Sequence, residues 1–334
     1  MKLDWKALPR PIIALSPMAD MTDSAFCRVV KEVSGEDCNR DGKGNFPIVF
    51  REMVSAEAVV RGNNKTLDMT DVYPDERPLV QQIFGSDPAT MAEAARIIAE
   101  QHQPEGFDIN MGCPVYKIVH NFNGAALMQE PVLASKIVKA MKAVIDVPLS
   151  VKIRLGWSDP TECLTFAKVL EEAGADLITI HGRTKMQGYS GVADWEMIRR
   201  AKAEVSIPVL ANGDIHKSEL MPKALGVTAC DGLLIARGAL GNPWIFTEYL
   251  DLAAGRTPSP VTLTERLRVV NRHLDLHVEQ YGPRSVNTFR KHLSWYFKGL
   301  PGFKKYKEPM MKALTPEDLK TVFRAMLETP EVLV

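Results

Sequence analysis

The chain has 334 residues, 46% of them apolar and 25% charged, with 41 basic and 41 acidic side chains balancing to a net charge of zero. That composition builds a sizeable core and suits one large domain plus a smaller one, since domains commonly run to about 100–250 residues. No run approaches the roughly 20 apolar residues of a membrane span, and the N-terminus MKLDWKALPRP lacks the apolar core and cleavage site of a signal peptide, so a cytoplasmic protein away from membranes is expected.

Along the chain, short β-branched apolar runs alternate with turn residues and amphipathic stretches of helical length. The runs are IIALSPM (12–18), PIVFREM (47–53), PLVQQIFG (78–85), FDINMG (107–112), PLSVKIRLG (148–156), DLITIHGR (176–183), PVLANGD (208–214) and DGLLIARG (231–238). After SDP (158–160) a helix is expected, with Asp159 as cap, Pro160 in the first turn and Gly174 as a left-handed stop. Eight strands alternating with helices over about 240 residues predict a closed parallel (β/α)₈, or TIM, barrel. No GxGxxG follows the first strand, which argues against an open dinucleotide-binding sheet. The segment GEDCNRDGKGNFP (35–47) is longer than a minimal connection and suggests no role.

Beyond Pro258 and Pro260 the composition shifts. Residues 264–281 carry Leu267, Val270, Leu274, Val278 and Tyr281 at helical spacing, and 283–299 interleave Phe289, Leu293 and Tyr296 with Arg290, Lys291 and Lys298. From 256 onward there are 14 Lys and Arg against 8 Asp and Glu, leaving 27 against 33 before it. A small helical domain (251–334) with a basic outer side is expected after a barrel domain (1–250). Its basic side suits a polyanion, or is simply a solvated face.

The five cysteines, Cys27, Cys38, Cys113, Cys163 and Cys230, are scattered, with no CxxC pair and no histidine at ligand spacing, so reduced thiols and no metal site are expected. In a barrel the catalytic rim lies at the C-terminal ends of the strands. There the sequence offers Ser16 and Met18, Glu52 and Met53, Gln82, Asn110 with Cys113, Lys152 with Arg154, His181 with Arg183, Asn212 with Asp214, and Arg237. Buried polar groups cost free energy unless bonded, so a polar residue on nearly every strand end points to one shared polar ligand. The glycines of ANGDI (211–215) and IARGALGNP (235–243) leave backbone amides open where barrels hold phosphate, and Arg237 could clamp it. With Gln82 and Asn110 beneath a flat polar ring and Lys152 as a fixed cation, flavin mononucleotide fits. A phosphorylated sugar, with Lys152 forming a Schiff base, fits the same residues.

The motifs SPMADMTDSAFCR (16–28), REMVSA (51–56), QIFG (82–85), DINMGCPV (108–115), NGAALM (123–128), SVKIRLGW (150–157), IHGRTKMQGYSG (180–191), LANGDI (210–215) and RGALGNPWIF (237–246) together resemble the tRNA-dihydrouridine synthases. The similarity extends to RKHLSWYFKG (290–299). That resemblance implies an FMN-dependent barrel that reduces the 5,6 double bond of particular uridines in tRNA, with NADPH as electron donor and no required oligomer. By position it implies cofactor contacts from Ser16, Pro17, Met18, Gln82, Lys152, His181, Asn212, Gly213, Asp214, Ala236, Arg237 and Gly238. It implies Cys113 as the catalytic acid and Asn110 as a uracil contact, while Arg154, Arg290 and Lys291 are assigned to the RNA.

Chemistry supports a thiol there. Hydride addition to one carbon of the double bond leaves its neighbour needing a proton, and a thiol with a reference pKa of about 8.5 is mostly protonated at neutral pH yet acidic enough to donate. Gly112 is expected to give the ligand room and Pro114 to stiffen the loop. Two other readings share the barrel: an FMN-dependent dehydrogenase of a free pyrimidine such as dihydroorotate, which needs no basic C-terminal unit, and a non-catalytic tRNA-binding protein.

Overall fold

A computed structural model describes residues 3–35 and 46–328. The expected strands are all present, as β1 (Ile12–Leu15), β2 (Ile48–Ser55), β3 (Leu79–Phe84), β4 (Gly106–Met111), β5 (Leu149–Arg154), β6 (Leu177–His181), β7 (Val209–Asn212) and β8 (Gly232–Ile235). They pair in sequence order, and β8 closes on β1 through Ile12–Leu15 against Gly232–Ile235. The barrel is therefore complete. Most of residues 35–47, with Cys38, lies outside the described residues.

Alternation along the strands sorts the side chains into two cores. One set faces the surrounding helices and joins Leu15, Val49, Ile109, Val151, Ile178 and Ile235 to them. The other fills the barrel floor with Ile12, Ala14, Phe50, Val80, Leu177, Leu210 and Leu234, plugged from the N-terminal segment by Leu3 and Trp5. Two residues further along each strand the same inward face turns polar. Ser16 follows Ala14, Glu52 follows Phe50, Gln82 follows Val80, Thr179 follows Leu177 and Asn212 follows Leu210, while on β8 the small Ala236 follows Leu234. An apolar floor beneath a polar mouth is the result.

Helices begin where caps dictate. Asp87 accepts from Thr90 N at 2.8 Å ahead of Pro88, starting Pro88–His102. The helix after SDP departs from expectation. It runs Glu162–Glu172, because Asp159 accepts from the amide and hydroxyl of Thr161, both at 2.8 Å, and so caps a turn before the helix. Gly174 does adopt a positive φ of 102°, one residue past the C-cap.

The C-terminal helices Leu263–Tyr281, Val286–Tyr296, Lys304–Lys312 and Pro316–Glu328 share an apolar core that includes Leu267, Val270, Phe289, Leu293, Tyr296 and Phe323. The expected 283–299 stretch thus splits after Tyr296, with a 3₁₀ turn at its start. These helices dock on helix Ser24–Ser34, whose Ala25 and Val29 enter their core. Arg268 and Arg272 reach Glu32, and Arg28 reaches Glu279. Where the two parts meet, three imidazoles are buried: His273, His277 and His292. His277 lies 3.6 Å from Asp23, whose burial would raise its carboxyl, yet the close approach of His277 and the nearby His292 and His273 hold it below the usual range. No described helix is long and apolar enough to cross a membrane.

Candidate active site

The polar mouth is built in layers set by strand register. Gln82 pairs with Asp108, Asp108 with Ser150, Asn110 with Lys152, Lys152 with Thr179, Arg154 with His181 and His181 with Asn212. Gln82, Asp108 and Asn110 are buried, and their hydrogen bonds run continuously. Ser150 Oγ donates to Asp108 Oδ1 at 2.6 Å, and Gln82 Nε2 donates to Asp108 Oδ2 at 2.6 Å. Asn110 Nδ2 donates to Gln82 Oε1 at 3.0 Å, and Asn110 Oδ1 accepts from the amides of Gly112 (3.2 Å) and Cys113 (2.9 Å).

Cys113 sits half-buried at the end of this chain. Burial raises its thiol pKa, only partly offset by the Val115 amide and the charges of Arg154 and Lys152, so the group stays protonated at neutral pH. Gly112 has a packing role in the protein itself. A Cβ there would lie 3.2 Å from the Ile153 carbonyl carbon, so the glycine lets the thiol loop lie against β5. Gly124, at φ 60°, does the same from behind, where a Cβ would come within 2.8 Å of the Cys113 carbonyl oxygen.

Lys152 is pushed down to about 8, by burial first and then by Arg154, while Asp108 and Cys113 act the other way. Burial also raises Asp108 to about 6 against the bonds from Ser150 and Gln82 and the charge of Lys152. Arg154 is 3% exposed and donates to the carbonyls of Gly112 (2.7 Å), Thr184 (3.0 Å) and Gly188 (2.8 Å). It straps the loop after β4 to the loop after β6. Arg183 grips Asp214 through two bonds of 2.9 and 2.7 Å, and Asp214 also accepts from Ala193 N at 2.7 Å. Those bonds hold Asp214 in the left-handed region at φ 56°. Arg237 stands half-exposed, 3.9 Å from Asp214 and over the ring of Tyr189.

His181 is buried, and its Nδ1 has no hydrogen-bond partner. Burial, then Lys152, Arg154, Arg183 and Arg237, hold its pKa well below the ordinary value, so the ring is neutral. Lys152, Arg154, Arg183 and Arg237 face three carboxylates: Asp214 is spent on Arg183, Asp108 on Gln82 and Ser150, and Glu52, pushed up to about 7, on Asp20 N. That excess of positive charge, the orphaned His181 nitrogen and the buried Thr179 hydroxyl without a partner fit an anionic, hydrogen-bonding ring ligand with a phosphate.

The structure thus gathers Ser16, Gln82, Asn110, Cys113, Lys152, His181, Asn212, Asp214 and Arg237 at one barrel mouth. Ser16 and Asn212 are tied in by strand β8: Ser16 N donates to Ile235 O at 2.8 Å and Asn212 Nδ2 to Leu234 O at 2.6 Å. Two others lie apart. Arg290, on helix Val286–Tyr296, is half-buried and donates to the Ala313 carbonyl, while the neighbouring Lys291 lies close enough to Glu52 to act on it. Glu52, buried at the end of the β2 inward face, accepts from Asp20 N at 2.7 Å and is pushed up to about 7 by burial and Asp23. Asp108, Ser150, Thr179 and Tyr189 escaped the sequence reading. Asp108 was findable from its two-residue spacing to Asn110 on the same strand face.

A closed parallel barrel with a cationic mouth, a protonated thiol and an amide chain defines a site for an anionic polar ligand. The "Dihydrouridine synthase (Dus)" family model matches residues 13–329, and the chain belongs to that family of flavin-dependent oxidoreductases. A "Probable tRNA-dihydrouridine synthase" of Rickettsia conorii is 38% identical over 86% of this chain and 85% of its own length. One of Synechocystis sp. is 35% identical over 95% and 86%, and a "tRNA-dihydrouridine synthase B" of Pseudomonas syringae pv. tomato is 38% identical over 88% and 85%. Two solved structures share the fold: a 2-naphthoyl-CoA reductase (TM-score 0.53, 13% identity, 73% of this chain and 50% of that one) and a histamine dehydrogenase from Rhizobium sp. 4-9 (0.56, 10%, 79% and 49%).

Proposed function

We propose that this protein reduces uridine to dihydrouridine in tRNA, using FMN recharged by NADPH. The observation that carries the reading is the thiol of Cys113, held protonated beside the Asn110 amide at a mouth whose cations suit an anionic flavin. When bound, FMN supplies a hydride to one carbon of the 5,6 double bond. The neighbouring carbon takes its proton from Cys113 Sγ, leaving a thiolate that Lys152 and Arg154 stabilise and that solvent reprotonates.

Ser16, Pro17, Met18, Gln82, Lys152, His181, Asn212, Gly213, Asp214, Ala236, Arg237 and Gly238 would hold the cofactor. Lys152 would sit by the ring as a cation and His181 would use its free nitrogen. Asn110 would hold the uracil. Arg154 would serve the substrate through the two loops it straps, and Arg290 through the helix it fixes.

The C-terminal unit (251–334) would hold the rest of the tRNA. Lys291 is close enough to Glu52 to act on it, and Lys298, Lys304 and Lys307 line a groove with Phe303 and Met311 on the same unit. Such a surface grips phosphates without reading sequence.

The test is Cys113→Ala. The purified variant should keep its flavin and its tRNA affinity yet form less than about a hundredth of the dihydrouridine that the native protein forms, measured by mass spectrometry of tRNA nucleosides. Undiminished product would remove Cys113 as the acid.

A further inference from the structure

We propose that Asp108 is a positioning residue that fixes the polarity of the Gln82 and Asn110 amides and, through them, the seat of the Cys113 loop. This rests on the reading of Cys113 as the proton donor. Nothing in the family likeness assigns a task to this carboxylate, and at 0% exposure it touches no solvent.

An ionised carboxylate only accepts hydrogen bonds, and a backbone N–H only donates. Those two kinds of group stand at opposite ends of one chain. At the lower end Asp108 Oδ2 faces Gln82, so the amide must present Nε2 to it, as it does at 2.6 Å. Gln82 Oε1 then points to Asn110, which must answer with Nδ2, at 3.0 Å. Asn110 Oδ1 is left for the amides of Gly112 and Cys113 at the upper end. The chain can run in only one direction. Asn110 Nδ2 is further committed to Met53 Sδ at 3.2 Å, so neither amide has a second low-energy orientation.

Ser150 completes the device. Its hydroxyl donates to Asp108 Oδ1 at 2.6 Å, with the Phe107 carbonyl 3.2 Å away as an alternative acceptor. A hydroxyl can reverse, whereas a carboxylate cannot. In Asp108→Asn, Ser150 would accept from the new side-chain NH₂ and turn its own proton to Phe107, so that the new amide oxygen still receives Gln82. In Ser150→Ala the carboxylate still receives Gln82. Only when both change does the introduced amide lose its partner on one side and become free to present its NH₂ to Gln82, so that the lower end of the chain opposes the polarity the Gly112 and Cys113 amides demand and the hold of Asn110 on the loop weakens.

The experiment is a double-mutant cycle on the intact protein with two readouts: iodoacetamide modification of Cys113, followed by mass spectrometry of its peptide, and dihydrouridine formation under saturating tRNA. Ser150→Ala serves as one corner of the cycle, its own effect on each readout measured and divided out. Asp108→Asn should change both modestly, since Lys152 loses a neighbouring charge, and that charge effect enters the single and double variants alike and cancels. The double variant should alkylate at Cys113 at least about tenfold faster than the product of the single effects, with kcat correspondingly lower and KM for tRNA little changed. A double variant equal to the product of the singles within about threefold overturns the proposal. So does one too unstable to purify, since Asp108 would then serve folding and not amide polarity. If the native protein formed no dihydrouridine the functional reading would fail, while the alkylation cycle would still decide the role of Asp108.

Discussion

Arg154 offers the sharpest perturbation. Arg154→Met keeps the stem and removes a guanidinium that donates to Gly112, Thr184 and Gly188. Hydrogen bonds to a charged group are worth roughly 1.5–3 kcal/mol each. The three together, less the desolvation that burial imposes on the cation, leave about 2–4 kcal/mol holding the loop after β6 against the loop after β4. The same interactions are lost to the folded state as a whole, so the melting temperature should fall by several degrees. The 184–191 loop should open far more often. A loss of about 2–4 kcal/mol raises its open population by roughly thirty-fold to several hundred-fold, and cleavage after Lys185 by dilute trypsin should accelerate by at least about thirty-fold. Arg154→Lys, which can keep one of the three bonds, should fall between. The assay is intact-mass spectrometry over a trypsin time course. Cleavage after Lys185 within about threefold of the native rate, in a folded Arg154→Met protein, would refute the strap.

Two further outcomes follow from buried charge. Arg51 and Glu76 form an ion pair at 1% and 0% exposure, with Arg51 also donating to the Met69 and Asp71 carbonyls. Arg51→Met should therefore cost about 3–5 kcal/mol, read as a lower urea midpoint. Glu76, already raised by burial and then deprived of Arg51, escapes that cost by taking a proton, so the deficit should shrink as pH falls from about 8 toward 5. The rate of dihydrouridine formation should fall as Lys152 loses its proton near pH 8, and change only modestly as Asp108 takes one near pH 6, because Ser150 can turn its hydroxyl to the Phe107 carbonyl and leave Gln82 its acceptor. The raised pKa of Asp108, faced by Gln82 from β3 and by Ser150 and Lys152 from β5, means that protonation favours the folded chain, so the acid side should show no loss of fold. A rate unchanged between about pH 7 and 9 would contradict the role of Lys152.

Much of the barrel was legible because a strand buried on both faces shows as a short β-branched run, and each of the eight runs lies between turn residues. The ends were less so. Asp159 satisfies a sequence rule for a helix cap, but Thr161 intercepts it, and only the three-dimensional turn reveals that. At the site, the rule that barrel ligands meet the C-terminal strand ends selected Gln82, Asn110, Lys152, His181 and Asn212, which strand register brings side by side. Asp108 was passed over because a lone carboxylate within FDINMG reads as an anomaly until its partners arrive from β3 and β5. Arg154 was assigned to the RNA, and its bonds to the Gly112, Thr184 and Gly188 carbonyls were hidden because sequence gives direction along a strand but not the loops that close over it. His273 and His277, one helical turn apart on an otherwise apolar face, carried a signal of burial that only Asp23, at the other end of the chain, explains.

The most direct test of the central claim is the colour of the protein under anaerobic conditions. Native protein should be yellow, bleach with NADPH, and regain its absorbance when unmodified tRNA is added, with dihydrouridine formed in equal amount. Flavin that bleaches and then ignores tRNA while free pyrimidines reoxidise it would contradict the account, as would a purified protein that binds no flavin at all.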